Sequence, residues 1–291
     1  MENTGIEYTK PKVILLQDTG IGVAEISART CYDSFDASEN ACIQDVGDGF
    51  LENCEVDYEL VEHLDSVNNI EHSDLLDKLA WTHFHHSILE HANLSFLIKG
   101  TSRGVLQEHA RHRIQAISVR STRYTMSPII NAFVAEKVEN FSNTYPSDFF
   151  INTILEIDNF VTTDKAYNTI QILDIFNKLN YQYSALGKTE FLKAAVAKSS
   201  IKTLLAASSS AEAFKDLQAG KKKRNVGDAF KHIVNDNWKV DMVVTFNVRS
   251  LKNYFTLRDS GAAYFQIRSL AEEMKKVTPA KYLDLIVKKD S

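Results

Sequence analysis

The chain is poor in several things that would otherwise define it. Its three cysteines, Cys31, Cys42 and Cys54, are an odd number, lie in the first fifth of 291 residues and form no CxxC pair. That excludes a disulfide framework and a zinc knuckle. Four prolines and eleven glycines leave no Pro/Gly/Ser linker, repeat or low-complexity block, so residues 1–291 are expected to form one elaborated α+β domain. No apolar run is long enough to cross a bilayer, and the opening MENTGIEYTKPK has neither the basic start nor the apolar stretch of a signal peptide. A cytoplasmic protein without a membrane partner is expected. Basic residues are in deficit, 33 against 38 acidic ones, for a net charge of -5 and a pI near 6.0. A surface that grips nucleic acid as a whole needs a basic field, so any basic site must be local.

What is present suffices for a packed core, at 44% hydrophobic residues. Val13 to Gln17 reads as a buried strand and Ile21 to Tyr32 as a helix. Residues 33–72 are polar and acidic, with few periodic apolar positions, and read as a loop-rich insertion. Ser73 is placed to cap a helix carrying Leu75, Leu76, Leu79 and Ala80, which leads into His83-Phe84-His85-His86-Ser87. Asn93 to Gly100 alternates as a strand does, and Ser102 to Arg111 has helical spacing. In the extended stretch after it, Ile117, Val119, Ser121 and Arg123 would share one side. Residues 133–225 read as mostly amphipathic helix. They include a basic run, Lys221 to Arg224, that is either a solvated loop or a phosphate or partner site. Phe246 to Gly261 and Ala262 to Val277 read as two further helices, the second ending before Pro279.

Three constellations carry candidate chemistry. Five arginines or histidines fall between Arg111 and Arg123 in this acidic chain, a crowding that is unfavourable unless something negative neutralises it. A phosphate-bearing ligand does so through the planar arginine fork, with Ser121 as a neutral donor; a surface strand facing acidic neighbours does so equally. In the second, Asn247, Leu251, Tyr254, Phe255 and Arg258 fall on one helical stripe, which puts two polar residues on the face to be buried. Their partners would be a base, a flavin or a phosphate, or simply an internal carboxylate. The third is histidine, with seven of nine between His72 and His112. The spacing is not HExxH and lacks a completing Asp or Cys, so no metal site is expected.

These pieces together resemble the flavin-dependent thymidylate synthases, the ThyX family, whose signature is RHR, seven residues, then SxR. Here it stands as Arg111-His112-Arg113, Ile114 to Arg120, then Ser121-Thr122-Arg123-Tyr124. Four further phrases agree in order: Ala28 to Tyr32; His85 to His91; Ser102-Arg103; and Asn247 to Leu251 with Asn253 and Leu257-Arg258. The resemblance covers a core of roughly 12–128 and 228–277, with a divergent helical segment between. It implies a central, mostly antiparallel sheet flanked by helices. It also implies an enzyme that makes dTMP from dUMP, with methylenetetrahydrofolate as carbon donor, NADPH as reductant and FAD as cofactor, working as a homotetramer with shared sites. Carried over by position, Ser87, Arg111, His112, Arg113, Asn247, Arg249 and Asn253 hold FAD, and His85 lies beside the flavin ring. Ser121, Thr122, Arg123 and Arg258, with Glu108 and Lys231, hold dUMP. Arg258 would also act catalytically, polarising the pyrimidine without a covalent nucleophile.

Departures from the family pattern are specific. Ser118-Val119 stands where Asn-Glu is usual, and Glu108 where Gln is usual, although Gln107 is adjacent. Lys231 stands for an arginine, keeping the charge but not the fork. Ala262 to Ile267 lacks a histidine expected near the flavin. A homologue that binds FAD and dUMP without turnover is the alternative reading. A single-strand nucleic-acid binder stacking on Tyr124 and Phe133 is disfavoured, because the patterning of a known module is missing.

Overall fold

The computed structural model describes residues 10–49, 64–121, 236 and 239–288. The expected helices of 133–225, the basic run Lys221 to Arg224, Cys54, Tyr124 and Phe133 lie outside the described residues. The chain divides into two compact units. One comprises Pro11–Lys99, Glu108–Ser118 and Met242–Ser291; the other comprises Met1–Lys10, Gly100–Gln107 and Val119–Asp241.

The framework is a four-stranded sheet in the order β1-β2-β4-β3, formed by β1 (Lys12–Asp18), β2 (Asn93–Ser102), β3 (Ala116–Val119) and β4 (Lys239–Asn247). β1 and β2 are antiparallel, pairing Val13 with Ile98 and Leu15 with Phe96, with an irregularity between Leu15 and Gln17. β2 and β4 are antiparallel too: Ala92 O accepts from Val248 N at 2.9 Å, and Ser95 Oγ meets Thr245 Oγ1 at 2.8 Å. Period-two alternation places Leu94, Phe96 and Ile98 of β2, and Met242, Val244 and Phe246 of β4, in the core at 2% exposure or less. Sheet and helices together make the α+β architecture expected.

Eight helices accompany the sheet among the described residues: α1 (Gly22–Thr30), α2 (Ala41–Asp48), α3 (Leu64–Asn68), α4 (Asp74–Trp81), α5 (Arg103–His109), α6 (Val248–Arg258), α7 (Phe265–Val277) and α8 (Ala280–Ile286). α7 buries Ile267, Leu270, Ala271 and Met274, spaced three and four apart, and packs on β1. Ser73 does cap α4, its side chain accepting from Leu76 N at 3.3 Å.

Four expectations need correction. β1 is not a buried strand: it lies at the sheet's edge in the order above, with Ile14 and Leu16 56% and 52% exposed. The stretch 33–72 is not simply loop, because it holds α2, α3 and a 3₁₀ turn at Phe35–Ala37. These short segments are tied down by the buried Glu25, whose carboxylate accepts from Arg29, from Ser38 Oγ at 2.6 Å and from Asn40 Nδ2 at 3.1 Å. A strand, β4, precedes α6, so the helix begins at Val248 rather than Phe246. A last helix, α8, follows Pro279 and anchors the end of the chain, where the Tyr282 hydroxyl donates to Asp18 Oδ1 at 2.7 Å.

In the other unit, Gly104 N donates to Asp236 O at 3.0 Å, and Asp241 receives Gly100 N at 3.0 Å and Arg120 at 3.4 Å. Arg120 is therefore paired with a carboxylate, one arginine of the basic strip that has an acidic neighbour.

Candidate functional site

Asn247 begins the site. Its side-chain oxygen accepts from Ser250 N at 2.7 Å, closing the first turn of α6. From there α6 buries Leu251, Tyr254 and Phe255 and lays Arg249, Ser250, Lys252, Asn253, Thr256 and Arg258 along a cleft of about 780 Å³. The opposite wall is Arg111, His112, Arg113 and Ile114, following α5, with His86 at one end. Five cationic side chains, Arg111, Arg113, Arg249, Lys252 and Arg258, line it, and no carboxylate does among the described residues.

Arg258 is the most constrained of the five, with a side chain only 14% exposed. Its Nη1 donates to Glu108 Oε2 at 2.9 Å, its Nη2 to Glu108 O at 3.2 Å, and its Nε to His112 Nε2 at 2.9 Å. A guanidinium carries five N–H groups, so two remain for a ligand. His112 must be neutral to accept that bond. Partial burial, then the neighbouring charges of Arg258 and Arg111, pull its pKa down to about 4. His109 is fully buried beneath, its Nδ1 3.2 Å from the Tyr254 hydroxyl; burial, then His112, lowers its pKa to about 4 as well. The Tyr254 ring packs edge-on against both imidazoles, at 5.2 and 4.8 Å between centroids. Glu108 also reaches the exposed Arg111 at 3.5 Å.

Lys252 places its ammonium 3.4 Å from the centre of the Trp81 ring and donates to Ala80 O at 3.1 Å, the carbonyl that His86 Nε2 also meets at 3.0 Å. Burial lowers the Lys252 pKa to about 8.

A second cleft, of about 480 Å³, shares His86 and Arg249 with the first and is therefore continuous with it. Ala28, Leu75, Leu79 and Ile88 supply apolar wall, while Tyr32, Phe84, His85 and Ser87 stand at its exposed surface. His85 is presented by an inverse γ-turn (φ -82°, ψ 69°), with His86 N donating to Phe84 O at 3.0 Å.

Of the residues expected from sequence, Arg111, His112, Arg113, Arg249, Asn253 and Arg258 meet in the first cleft, and His85, Ser87 and Arg249 in the second. Glu108 stands directly behind Arg258. Asn247 lines neither cleft; its side chain is committed to the cap. Gln107 does not stand in for the usual amide, since it donates to Asp236 at 2.9 Å. Ser121 is described, half-buried just past β3, whereas Thr122, Arg123 and Lys231 lie outside the described residues. Sequence reasoning missed His86, Lys252, Tyr32 and Phe84 as cleft residues. Lys252 had a legible signal, since it stands one residue from Asn253 on a helix already under suspicion; Phe84 had none, because its placement depends on the backbone turn after α4. Among the described residues no group of three or more His, Cys, Asp or Glu is placed to hold a metal ion.

A cationic cleft opening into an apolar one, on an antiparallel sheet flanked by helices, defines an α+β protein built to take a large anionic ligand. The family follows from the chain as a whole: residues 14–281 match the family described as "Thymidylate synthase complementing protein", and the chain belongs to it. Similar proteins named flavin-dependent thymidylate synthase occur in Wolinella succinogenes, 26% identical over 270 residues, covering 93% of this chain and 94% of that protein, and in Campylobacter jejuni strain RM1221, 27% identical over 272 residues, covering 93% of each. A crystal structure of Thymidylate Synthase X (ThyX) from Helicobacter pylori with FAD and dUMP shares the fold, with a TM-score of 0.55 at 23% identity over 95% of this chain and 97% of that chain.

Proposed function

We propose that this chain is a flavin-dependent thymidylate synthase, converting dUMP to dTMP with FAD as cofactor, methylenetetrahydrofolate as carbon donor and NADPH as reductant, and that it assembles as a homotetramer. The observation that carries the reading is the first cleft: five cationic side chains and no carboxylate, in a protein of net charge -5. Like charges crowd this way where an anion will neutralise them. The donor set therefore fits the diphosphate of FAD, with Arg111, Arg113, Arg249 and Asn253 as its holders. The adjoining apolar cleft with His85 and Ser87 fits the flat ring. When bound, FAD supplies the hydride chemistry between NADPH and the transferred carbon.

The chain's own part is electrostatic. Arg258, held by Glu108 and His112 with two N–H groups to spare, would meet the N3/O4 edge of the pyrimidine and favour its enolate-like form, raising electron density at C5. The three anchoring bonds fix the fork before substrate arrives, so little ordering cost remains at the reacting step. Ser121, Thr122 and Arg123 complete the dUMP side of this reading, together with Lys231.

Purified protein should be yellow, with a flavin band in the visible spectrum that changes on adding dUMP, and should form dTMP from dUMP and methylenetetrahydrofolate with NADPH consumed. Failure to take up FAD at any concentration overturns the reading. The Glu108–Arg258 ion pair favours one second reading, a homologue that binds FAD and dUMP without turnover. In that case the spectrum changes with dUMP but no dTMP forms.

A further inference from the structure

Phe84 is placed at odds with the usual economy of a folded chain. Its backbone lies in the left-handed region (φ 56°), a conformation favourable for glycine and strained for a bulky side chain. The side chain gains no burial in exchange, standing 64% exposed at the surface of the second cleft. Around it the chain is well anchored: His83 N donates to Lys78 O and His85 N to Leu79 O, both at 2.9 Å. The αL position follows the end of α4, where a helix terminus normally takes glycine. Tyr32, 78% exposed, lines the same cleft on the loop after α1, next to Asp33, the other non-glycine residue with positive φ among those described. Two large aromatic rings are thus presented outward on the margin of an apolar cavity whose polar groups are His85 and Ser87.

We propose that Phe84 is a ring-binding residue, whose exposed face stacks on the planar heteroaromatic ring that occupies this cleft while the ligand's anionic part lies among the arginines. The inference rests on the function proposed above, which puts the flavin of FAD here. Its geometry is independent of His85. Stacking on an exposed ring rewards planarity and aromatic character rather than hydrogen bonding, so Phe84 would set affinity for the ring and leave recognition of its edge to its neighbours. A phenylalanine held out at positive φ makes sense only if the ring is used after folding.

The test compares Phe84→Gly, Phe84→Leu and Phe84→Tyr in the full chain, with FAD as the probe, measured by titration of the visible band alongside thermal melting and sedimentation. Glycine relieves the backbone, so Phe84→Gly should melt no lower than the parent while binding FAD roughly tenfold more weakly. Phe84→Leu keeps apolar bulk without the ring and should show a similar loss; Phe84→Tyr should restore affinity to within about twofold. Parental FAD affinity in the glycine and leucine variants overturns the inference and leaves the proposed function standing. A lower melting temperature for Phe84→Gly also overturns it, by showing that the ring supports the fold. So does loss of subunit assembly at unchanged FAD affinity, which assigns the ring to a contact between copies. If the parent chain itself takes up no FAD, the proposed function falls first and this inference with it.

Discussion

Arg258 concentrates the residue-scale argument, because its pairing and its proposed work compete for the same guanidinium. Removing it should lower dTMP formation by at least about a hundredfold, since it is asked to stabilise charge that develops on the pyrimidine. FAD should still bind Arg258→Ala, because the proposed flavin contacts come from Arg111, Arg113 and Arg249; normal turnover in the variant would refute the assignment. Arg113→Ala should do the reverse, weakening flavin retention, which is read as FAD lost on gel filtration. Glu108→Gln separates attraction from positioning. The amide still accepts from Nη1, 2.9 Å from the present oxygen, but no longer neutralises the cation. KM for dUMP should therefore fall severalfold with little change in kcat, and a rise in KM would show the carboxylate to be a substrate contact in its own right. From sequence alone Glu108 was legible as a departure and Arg258 as a buried charge. That the two are each other's partner was not, because 150 residues separate them.

At the scale of elements, α6 shows how a local pattern becomes a site. Its stripe of Leu251, Tyr254, Phe255 and Arg258 was readable from helical spacing, and the three apolar members are buried as that spacing requires. Its start was not, because Phe246 has the right hydrophobicity to extend the helix backwards. The alternation of Val240, Met242, Val244 and Phe246 is the signal that marks β4 instead. The boundary changes what Asn247 does: rather than facing a ligand, it caps the helix. Asn247→Ala should therefore destabilise the fold by about 1 kcal/mol in urea unfolding. Asn247→Asp should not, because a carboxylate keeps the acceptor and is favoured at a helix N-terminus. Unchanged stability in the alanine variant would return Asn247 to the role of a ligand contact. The short helices α2 and α3 were illegible for a different reason. They hold to the fold through few buried apolar residues, Ile43 in one and Val67 in the other, and through the Glu25 hydrogen bonds, none of which leaves a periodic trace in sequence.

For the molecule as a whole, the buried imidazoles set the response to acid. His109 and His112 have pKa values near 4 when folded, against about 6.5 when exposed in the unfolded chain. Between those values the unfolded state binds more protons, so stability must fall as pH drops from about 6.5 towards 4 and should be flat with respect to these groups above 7. Each contributes a slope of up to about 1.4 kcal/mol per pH unit, less for His112 because it is only partly buried. Urea unfolding at pH 7.5, 6 and 5 measures this, and His112→Gln should reduce the slope while preserving an acceptor for Arg258.

The remaining whole-molecule expectation concerns assembly. β1 is an edge strand that nonetheless turns Ile14 and Leu16 outward, apolar residues that a solvent-facing edge normally replaces with charge. If four copies associate, this strand is a natural place for one of their contacts, and the sequence hid it because VILLQ reads equally well as an interior strand. Replacing both Ile14 and Leu16 with aspartate should lower the sedimentation mass below that of four protomers while leaving the far-ultraviolet dichroism unchanged, since neither side chain belongs to the core. Sites shared between subunits would then lose FAD affinity in step with assembly. A parent chain that sediments as a monomer would remove the tetramer from the proposal, whereas an intact tetramer in the double variant would move the contact to another face.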